Sequence, residues 1–386
     1  MMLLDIIMME RGVDKVKCVY PNYDDSLLSL ISSIENYYGI KNNRKTLKIV
    51  DEQLKNDYKN IIVVLYDGFG YNILKKNKDI TPFLNENLKC RISSVFPPTT
   101  TAETTSVITG LSPVEHGWLG WDMYMKKYDS VVTLFLNCEK ESGEKIKDYP
   151  GTKNILKVIS TMEKISKIDG HLGSYVSPYG NVPYKDIDEM NDKIVEITKN
   201  DKKNYIYAYY NEPDGTMHDY GTDSIEAKEK FKLIDEKFKQ LCKRVDDSLI
   251  IMIADHGHIN IKKWITLTDY PDIIELLKGT TGIDSRASSF RVKDGKEKEF
   301  EEAIKKVIKD DFLLLSNKEI IKNKIFGDGI ENSLFRDGIG DYIAVAINDK
   351  AIRYSDSHET FKSAHAGVTE DEVCVPLVIV SKKSTK

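Results

Sequence analysis

Three aspartates stand where apolar runs stop. Leu65-Tyr66 gives way to Asp67-Gly68, Tyr209-Tyr210 leads through Asn211-Glu212-Pro213 to Asp214, and Ile253-Ala254 ends at Asp255-His256-Gly257. Ligands of open α/β sheets bind outside the carboxyl ends of the strands. Carboxylates converging there repel strongly unless a cation sits between them. Histidines accompany them. His218 follows Asp214 by four residues, so on a helical backbone both point the same way. His256 adjoins Asp255, and His365 precedes the last apolar run in Ala364-His365-Ala366-Gly367. Asp and His without cysteine suit zinc, with manganese or another divalent metal as chemical alternatives.

A second segment supplies a nucleophile. In Phe96-Pro97-Pro98-Thr99-Thr100-Thr101-Ala102-Glu103, followed by Thr104 to Gly110, the prolines fix an extended entry, the threonines can cap a helix and Gly110 can stop it. Thr100 then falls at or just before a helix N-terminus, where free N–H groups and the dipole favour an anion. A threonine hydroxyl is a weak nucleophile until a metal or a base activates it. Glu103, one turn on, either orients Thr100 or answers the helix dipole.

These groups need a scaffold to converge. Ile61–Leu65, Tyr205–Tyr209, Leu249–Ile253 and Pro376–Val380 read as buried parallel strands, being continuous apolar runs. Between them Ala227, Phe231, Ile234, Phe238 and Leu241 step by four and three along one helix face. The expectation is an α/β layered fold with a mostly parallel central sheet. Residues 283–340 differ in texture. Phe290-Arg291-Val292 is strand-like, Lys293-Asp294-Gly295 a turn, and Phe300, Ala303, Ile304, Val307 and Ile308 form one helix face. This predicts a small α+β insertion capping the site, with 1–282 and 341–386 as the catalytic core.

Composition narrows the class. The 386 residues suffice for a large core, and the net charge of −5 carries no basic excess of the kind a nucleic-acid polymer requires. The basic charge is mostly lysine, read as solvated helix surface. No apolar run approaches the roughly 18 residues of a membrane span. Met1–Met9 is apolar but lacks a basic flank and a small-residue cleavage site, so it does not read as a secretory signal. The 5 cysteines are scattered, which fits a reducing compartment, most simply the cytoplasm.

From Ile61 to Val380 the chain resembles the alkaline phosphatase superfamily, in its branch of type I phosphodiesterases and nucleotide pyrophosphatases. Asp67-Gly68, the Phe96–Gly110 segment, Glu212-Pro213-Asp214-Gly215-Thr216-Met217-His218, Asp255-His256-Gly257 and His365 carry the likeness in the family's order. The resemblance implies an alkaline-phosphatase-like layered sandwich. It also implies one zinc held by Asp214, His218 and His365, and a second held by Asp67, Asp255, His256 and the Thr100 oxygen. Two zincs, three aspartates and a Thr100 alkoxide sum to zero charge, so an anionic phosphate can approach. The implied reaction is in-line cleavage of a small phosphorylated, nucleotide-like substrate through a phosphothreonine on Thr100.

The sequence departs from the family where an Asn contacts the phosphate. Here the stretch reads His116-Gly117-Trp118-Leu119-Gly120-Trp121-Asp122, with Trp121 near that position. Trp118 and Trp121 either stack a flat leaving group or pack the region after the helix. His258 is a candidate for orienting a ligand or contacting phosphate, against a solvent-facing loop histidine. His116, His171 and His358 read as structural. Rival readings are a phosphomonoesterase, with Arg91, Arg286 or Arg291 as the extra cation, a phosphonate hydrolase, and an inactive metal-binding homologue. A phosphosugar mutase is a minor rival, and Thr100 argues against a sulfatase.

Overall fold

The computed structural model describes residues 18–147, 158–356 and 360–383. The Met1–Met9 stretch and His358 lie outside the described residues. A six-stranded sheet runs in the order Leu88–Ser93, Cys374–Lys382, Ser248–Ile253, Asn60–Tyr66, Lys203–Tyr210, His171–Val176. Asn60–Tyr66 lies at its centre, parallel to both neighbours, with Leu65 opposite Tyr209 on one side and Ile253 on the other. Helices cover this sheet, so its central strands are buried along their whole length. Ile225–Arg244 begins at Ser224, whose side chain accepts from the Ala227 N–H, and buries Ala227, Phe231, Ile234, Phe238 and Leu241. Each fully buried Phe, Ile or Leu among them contributes about 1.5–3 kcal/mol relative to exposure.

Cys374–Lys382, expected to be parallel, runs antiparallel to Ser248–Ile253. The chain reaches it from His365 at the carboxyl edge of the sheet, so returning downward needs no crossover. A strand buried on both faces reads as one apolar run in either direction.

A second, seven-stranded sheet runs Phe312–Ser316, Tyr342–Ala346, Ala287–Phe290, Gly282–Asp284, Asp122–Met125, Ser130–Thr133, Cys138–Glu139. Every pairing in it is antiparallel. Residues 283–340 supply part of it, and strands on both sides of those bounds complete it. Helix Glu297–Ile308 places Phe300, Ile304 and Ile308 in one apolar cluster with Phe290, Phe312 and Leu314. Val292 falls outside the strand, in an isolated bridge to Leu277. All five cysteines are free thiols. Among the described residues, no helix is long and apolar enough to cross a membrane.

Candidate metal centre

Strand register brings the first two aspartates together. Asp67 and Asp255 each lie two residues beyond the paired Leu65 and Ile253. Backbone N–H groups of Gly68 and His256 both donate to Asp255 Oδ1 at 2.9 Å, which fixes that carboxylate. Its other oxygen is buried without a hydrogen-bond partner. Asp214 arrives from the neighbouring strand, its N–H donating to Asp67 O at 3.0 Å. It opens helix Asp214–Tyr220, so His218 lies one turn on, with Nε2 3.4 Å from Asp214 Oδ1. A short antiparallel ladder pairs Ile259 with Ala364, carrying His258 and His365 to the same place.

Two donor groups result. Asp67, Asp255 and His256 form one, with His256 Nε2 3.4 Å from an oxygen of each aspartate. Asp214, His218, His258 and His365 form the other, with His258 Nε2 2.6 Å and His365 Nε2 3.8 Å from Asp214 Oδ1. The His256 and His365 rings stack at 3.8 Å, so the groups are adjacent. Nδ1 of His218 meets Ser363 O at 2.8 Å and Nδ1 of His365 meets Pro98 O at 3.3 Å. A carbonyl can only accept, so both rings keep Nε2 free for a ligand.

Thr100 stands over the first group. It opens helix Thr100–Thr109, which ends at Gly110 with φ 72°. Its hydroxyl lies 3.4 Å from both Asp67 oxygens and 3.2 Å from His256 Nε2. The Thr99 side chain does not cap the helix and donates instead to Asp284 Oδ2 at 2.9 Å, tying the Thr99-Thr100 turn to the second sheet.

The electrostatics call for cations. Burial, then Asp255 and Asp214, push the Asp67 carboxyl well above its usual range, against the Tyr209 hydroxyl donating to it at 2.5 Å. Burial acts to raise the Asp214 carboxyl too, but His218, His258 and His365 outweigh it and hold it well below that range. Burial, then His256, hold His365 neutral. Buried carboxylates, an unpartnered Asp255 oxygen and imidazole lone pairs in two clusters fit two divalent ions with N/O ligation.

The remaining expectations divide. His258 is buried, not a solvent-facing loop residue. Glu103 does not orient Thr100: it is buried, neither carboxyl oxygen has a hydrogen-bond partner, and burial, then Asp255, keep it protonated. Trp118 is 2% exposed and stacks on Phe135, so of its two readings the structure favours packing. Trp121 is 40% exposed and tilted against the same Phe135. Its neighbour Asp122 pairs with Ile283, next to the Asp284 that holds Thr99. His116 is buried against Ser106 Oγ and the Trp118 N–H, and the half-buried His171 packs edge-on to Tyr38. Arg91 pairs with Glu370, Arg286 with Glu372, and Arg291 lies over the Tyr124 ring. Sequence reading missed Tyr209, Ser363 and Asp284, which touch ligand candidates or the Thr99 turn. Only Tyr209 carried a signal, as a polar-tipped residue ending an apolar run near an acid.

The chain is similar to known proteins in sequence and in fold. The sequence model of the family described as type I phosphodiesterase / nucleotide pyrophosphatase matches residues 61–368. Human ectonucleotide pyrophosphatase/phosphodiesterase family member 1 is 25% identical over 249 residues, covering 59% of this chain and 27% of that protein. The chain thus spans about a quarter of the length of the curated relatives it matches. Murine ectonucleotide pyrophosphatase/phosphodiesterase 5 superposes with a TM-score of 0.66 at 21% identity, covering 82% of this chain and 87% of that one. An inactive variant of that murine protein, in complex with AMP, superposes equally, with a TM-score of 0.66, 21% identity and coverage of 82% and 87%. The chain shares the alkaline-phosphatase-like fold of these structures.

Proposed function

The chain belongs to the type I phosphodiesterase / nucleotide pyrophosphatase family, and on that premise we propose that it hydrolyses phosphodiester or pyrophosphate bonds of small nucleotide-like substrates, with Thr100 as nucleophile. The observation carrying this reading is the Thr100 hydroxyl, within 3.4 Å of Asp67 and His256, beside the second cluster around Asp214. Asp67, Asp255 and His256 would hold one divalent ion, and Asp214, His218 and His365 the other. Zinc suits these donors best. When bound, the two ions supply Lewis acidity and cancel the carboxylate charge.

The chain's own groups then divide the work. Tyr209 and the Gly68 and His256 amides hold the Asp67 and Asp255 carboxylates in place. The first turn of Thr100–Thr109 directs free N–H groups at the incoming phosphate. Thr100 Oγ1 gives its proton up to solvent and attacks phosphorus in line. The bond to the leaving oxygen breaks, and that oxygen departs on the opposite side and takes a proton from solvent. A threonyl phosphate remains. Water attacks it from the vacated side, the bond between phosphorus and Thr100 Oγ1 breaks, and Thr100 recovers its proton. Trp121, exposed near the Thr99 turn, would offer its face to a flat leaving group.

A phosphomonoesterase is the second reading. The arginines that would neutralise a dianion are engaged elsewhere, Arg286 with Glu372 and Arg91 with Glu370, which favours the diester. The reducing compartment read from the scattered thiols stays part of this proposal. The test is metal content with turnover of bis(p-nitrophenyl) phosphate and p-nitrophenyl phosphate, for wild type and Thr100→Ala. Diester turnover abolished in Thr100→Ala with metal retained supports the proposal. A strong monoester preference replaces the substrate class, and full activity in Thr100→Ala overturns the mechanism.

A further inference from the structure

We infer that Asp284 is a specificity residue at the mouth of the metal centre, where its carboxylate selects singly charged phosphodiesters over phosphomonoester dianions. The inference rests on the Thr100 reading above and narrows its substrate class. Three observations carry it.

The first is placement. Asp284 ends strand Gly282–Asp284 of the second sheet and is half-buried. Its Oδ2 accepts from the hydroxyl of Thr99, the residue before the nucleophile, at 2.9 Å. His218, in the other donor group, lies near enough for its charge to favour the ionised carboxylate. Asp284 therefore stands beside the space between Thr100 and the Asp214 group, where a phosphate under attack by Thr100 must lie.

The second is an uncancelled charge. The Ser285 N–H donates to Oδ1 at 2.7 Å and Thr99 donates to Oδ2, and donors on both oxygens favour the ionised form. Burial raises the carboxyl above its ordinary value against these two donors and His218. Both donors are neutral, and Asp284 belongs to neither metal-ligating group. Among the described residues no lysine or arginine pairs with it. Lys140 is taken by Asp122 at 3.1 Å, and Arg286 by Glu372.

The third is the wall beside it. Asp122 pairs with Ile283, so the antiparallel register sets Trp121 across from Asp284. The backbones approach closely there, since a Cβ on Gly120 would stand 2.7 Å from Ile283 Cα. Trp121, 40% exposed, adds a ring face without charge.

Charge balance turns this placement into selectivity. Two divalent ions cancel three aspartates and the Thr100 alkoxide, so Asp284 leaves the mouth net negative. A diester brings one negative charge to it, and a monoester close to two. The second charge of the monoester meets Asp284 unopposed. The ester group that a diester carries in its place meets the Trp121 face instead.

The test compares bis(p-nitrophenyl) phosphate with p-nitrophenyl phosphate at pH 8, above the second phosphate pKa of about 6. The proteins are wild type, Asp284→Asn and Asp284→Glu, each loaded with zinc. Asn keeps an acceptor for Thr99 and removes the charge, whereas Glu keeps the charge. One unit of charge across a partly solvated site is worth on the order of tenfold. Asp284→Asn is expected to lower the diester-to-monoester ratio of kcat/KM by about that factor, and Asp284→Glu to restore it. Added salt is expected to lower the wild-type ratio and to leave that of Asp284→Asn flat.

Binding is read apart from turnover by calorimetry on Thr100→Ala. Adding Asp284→Asn to it is expected to tighten p-nitrophenyl phosphate relative to the diester, again on the order of tenfold. An Asp284→Asn ratio equal to that of wild type, whether both rates hold or fall together, shows that Asp284 only holds the Thr99 turn. That result, or a wild-type ratio that salt does not change, overturns the inference while the Thr100 reading stands. Diester turnover retained in Thr100→Ala removes that reading and this inference together.

Discussion

Arg286 and Glu372, both 0% exposed, meet in a two-point ion pair, with Nε to Oε1 at 2.6 Å and Nη2 to Oε2 at 2.7 Å. Arg286 sits beside Ala287–Phe290 of the second sheet, and Glu372 lies in the turn entering Cys374–Lys382 of the first. The same carboxylate accepts from the Gly367 N–H at 2.7 Å, two residues after His365, and the Glu372 carbonyl accepts from the Gly257 N–H at 2.9 Å. One buried pair thus joins the two sheets and anchors the backbone on both sides of the metal centre.

Removing one partner strands the other without water. Glu372→Gln is expected to lower stability by about 3–5 kcal/mol, seen as a reduced thermal midpoint. The paired change Arg286→Met with Glu372→Leu leaves no buried charge and costs less. Equal losses in the two proteins would show that the pair's charge does not set the penalty.

Tyr209 donates to Asp67 at 2.5 Å from within the sheet. Tyr209→Phe keeps the ring and removes only that hydrogen bond. Metal affinity at the Asp67 group is expected to fall about 10–100-fold, with the Asp214 group unchanged. Isothermal titration with zinc checks it, and an unaltered isotherm rejects Tyr209 as an orienting residue.

Metal removal leaves Asp67 and Asp255 facing each other in a buried site. Dialysis against a chelator is expected to abolish turnover and lower the unfolding temperature, and added zinc to restore both. An ion at 100 times its Kd contributes about 2.7 kcal/mol by mass action. Identical melting curves with and without metal contradict this.

Burial holds His116 down to a pKa of about 3, below the 6.5 ordinary for an imidazole. With the folded pKa depressed, only the unfolded chain takes up this proton between those values. The stability contributed by the neutral ring is therefore complete above pH 6.5 and declines as pH falls toward 3, by up to roughly 1.4 kcal/mol per pH unit. Urea unfolding of wild type and His116→Gln between pH 7 and pH 5 checks the sign: wild type loses more.

Gly68→Ala places a Cβ 3.0 Å from the His258 ring at a backbone φ of +75°. An L-residue in that region costs of order 1 kcal/mol. The expected outcome is modest loss of stability with a larger loss of metal binding, read by calorimetry and metal titration. Unchanged metal affinity would separate Gly68 from the site.

The sequence by itself determined the central sheet and most of the donor set. Burial on both faces makes Ile61–Leu65, Tyr205–Tyr209 and Leu249–Ile253 continuous apolar runs, and the acids that end them mark the edge where ligands gather. The four-residue step from Asp214 to His218 is a helical repeat, legible without coordinates. Thr100 was likewise placed by local chemistry, prolines before it and Gly110 after it. Tertiary structure alone decided the direction of Cys374–Lys382, because an apolar run carries no polarity. It alone joined 122–139 to 282–346 in one sheet, since antiparallel partners distant in the chain leave no periodic trace. It also left Glu103 buried without a hydrogen-bond partner and brought His258 to Asp214. Ser363, whose hydroxyl meets the His258 ring, lies more than a hundred residues along the chain. Hydrogen-bond direction across such a gap depends on how the two segments pack, which no local pattern encodes.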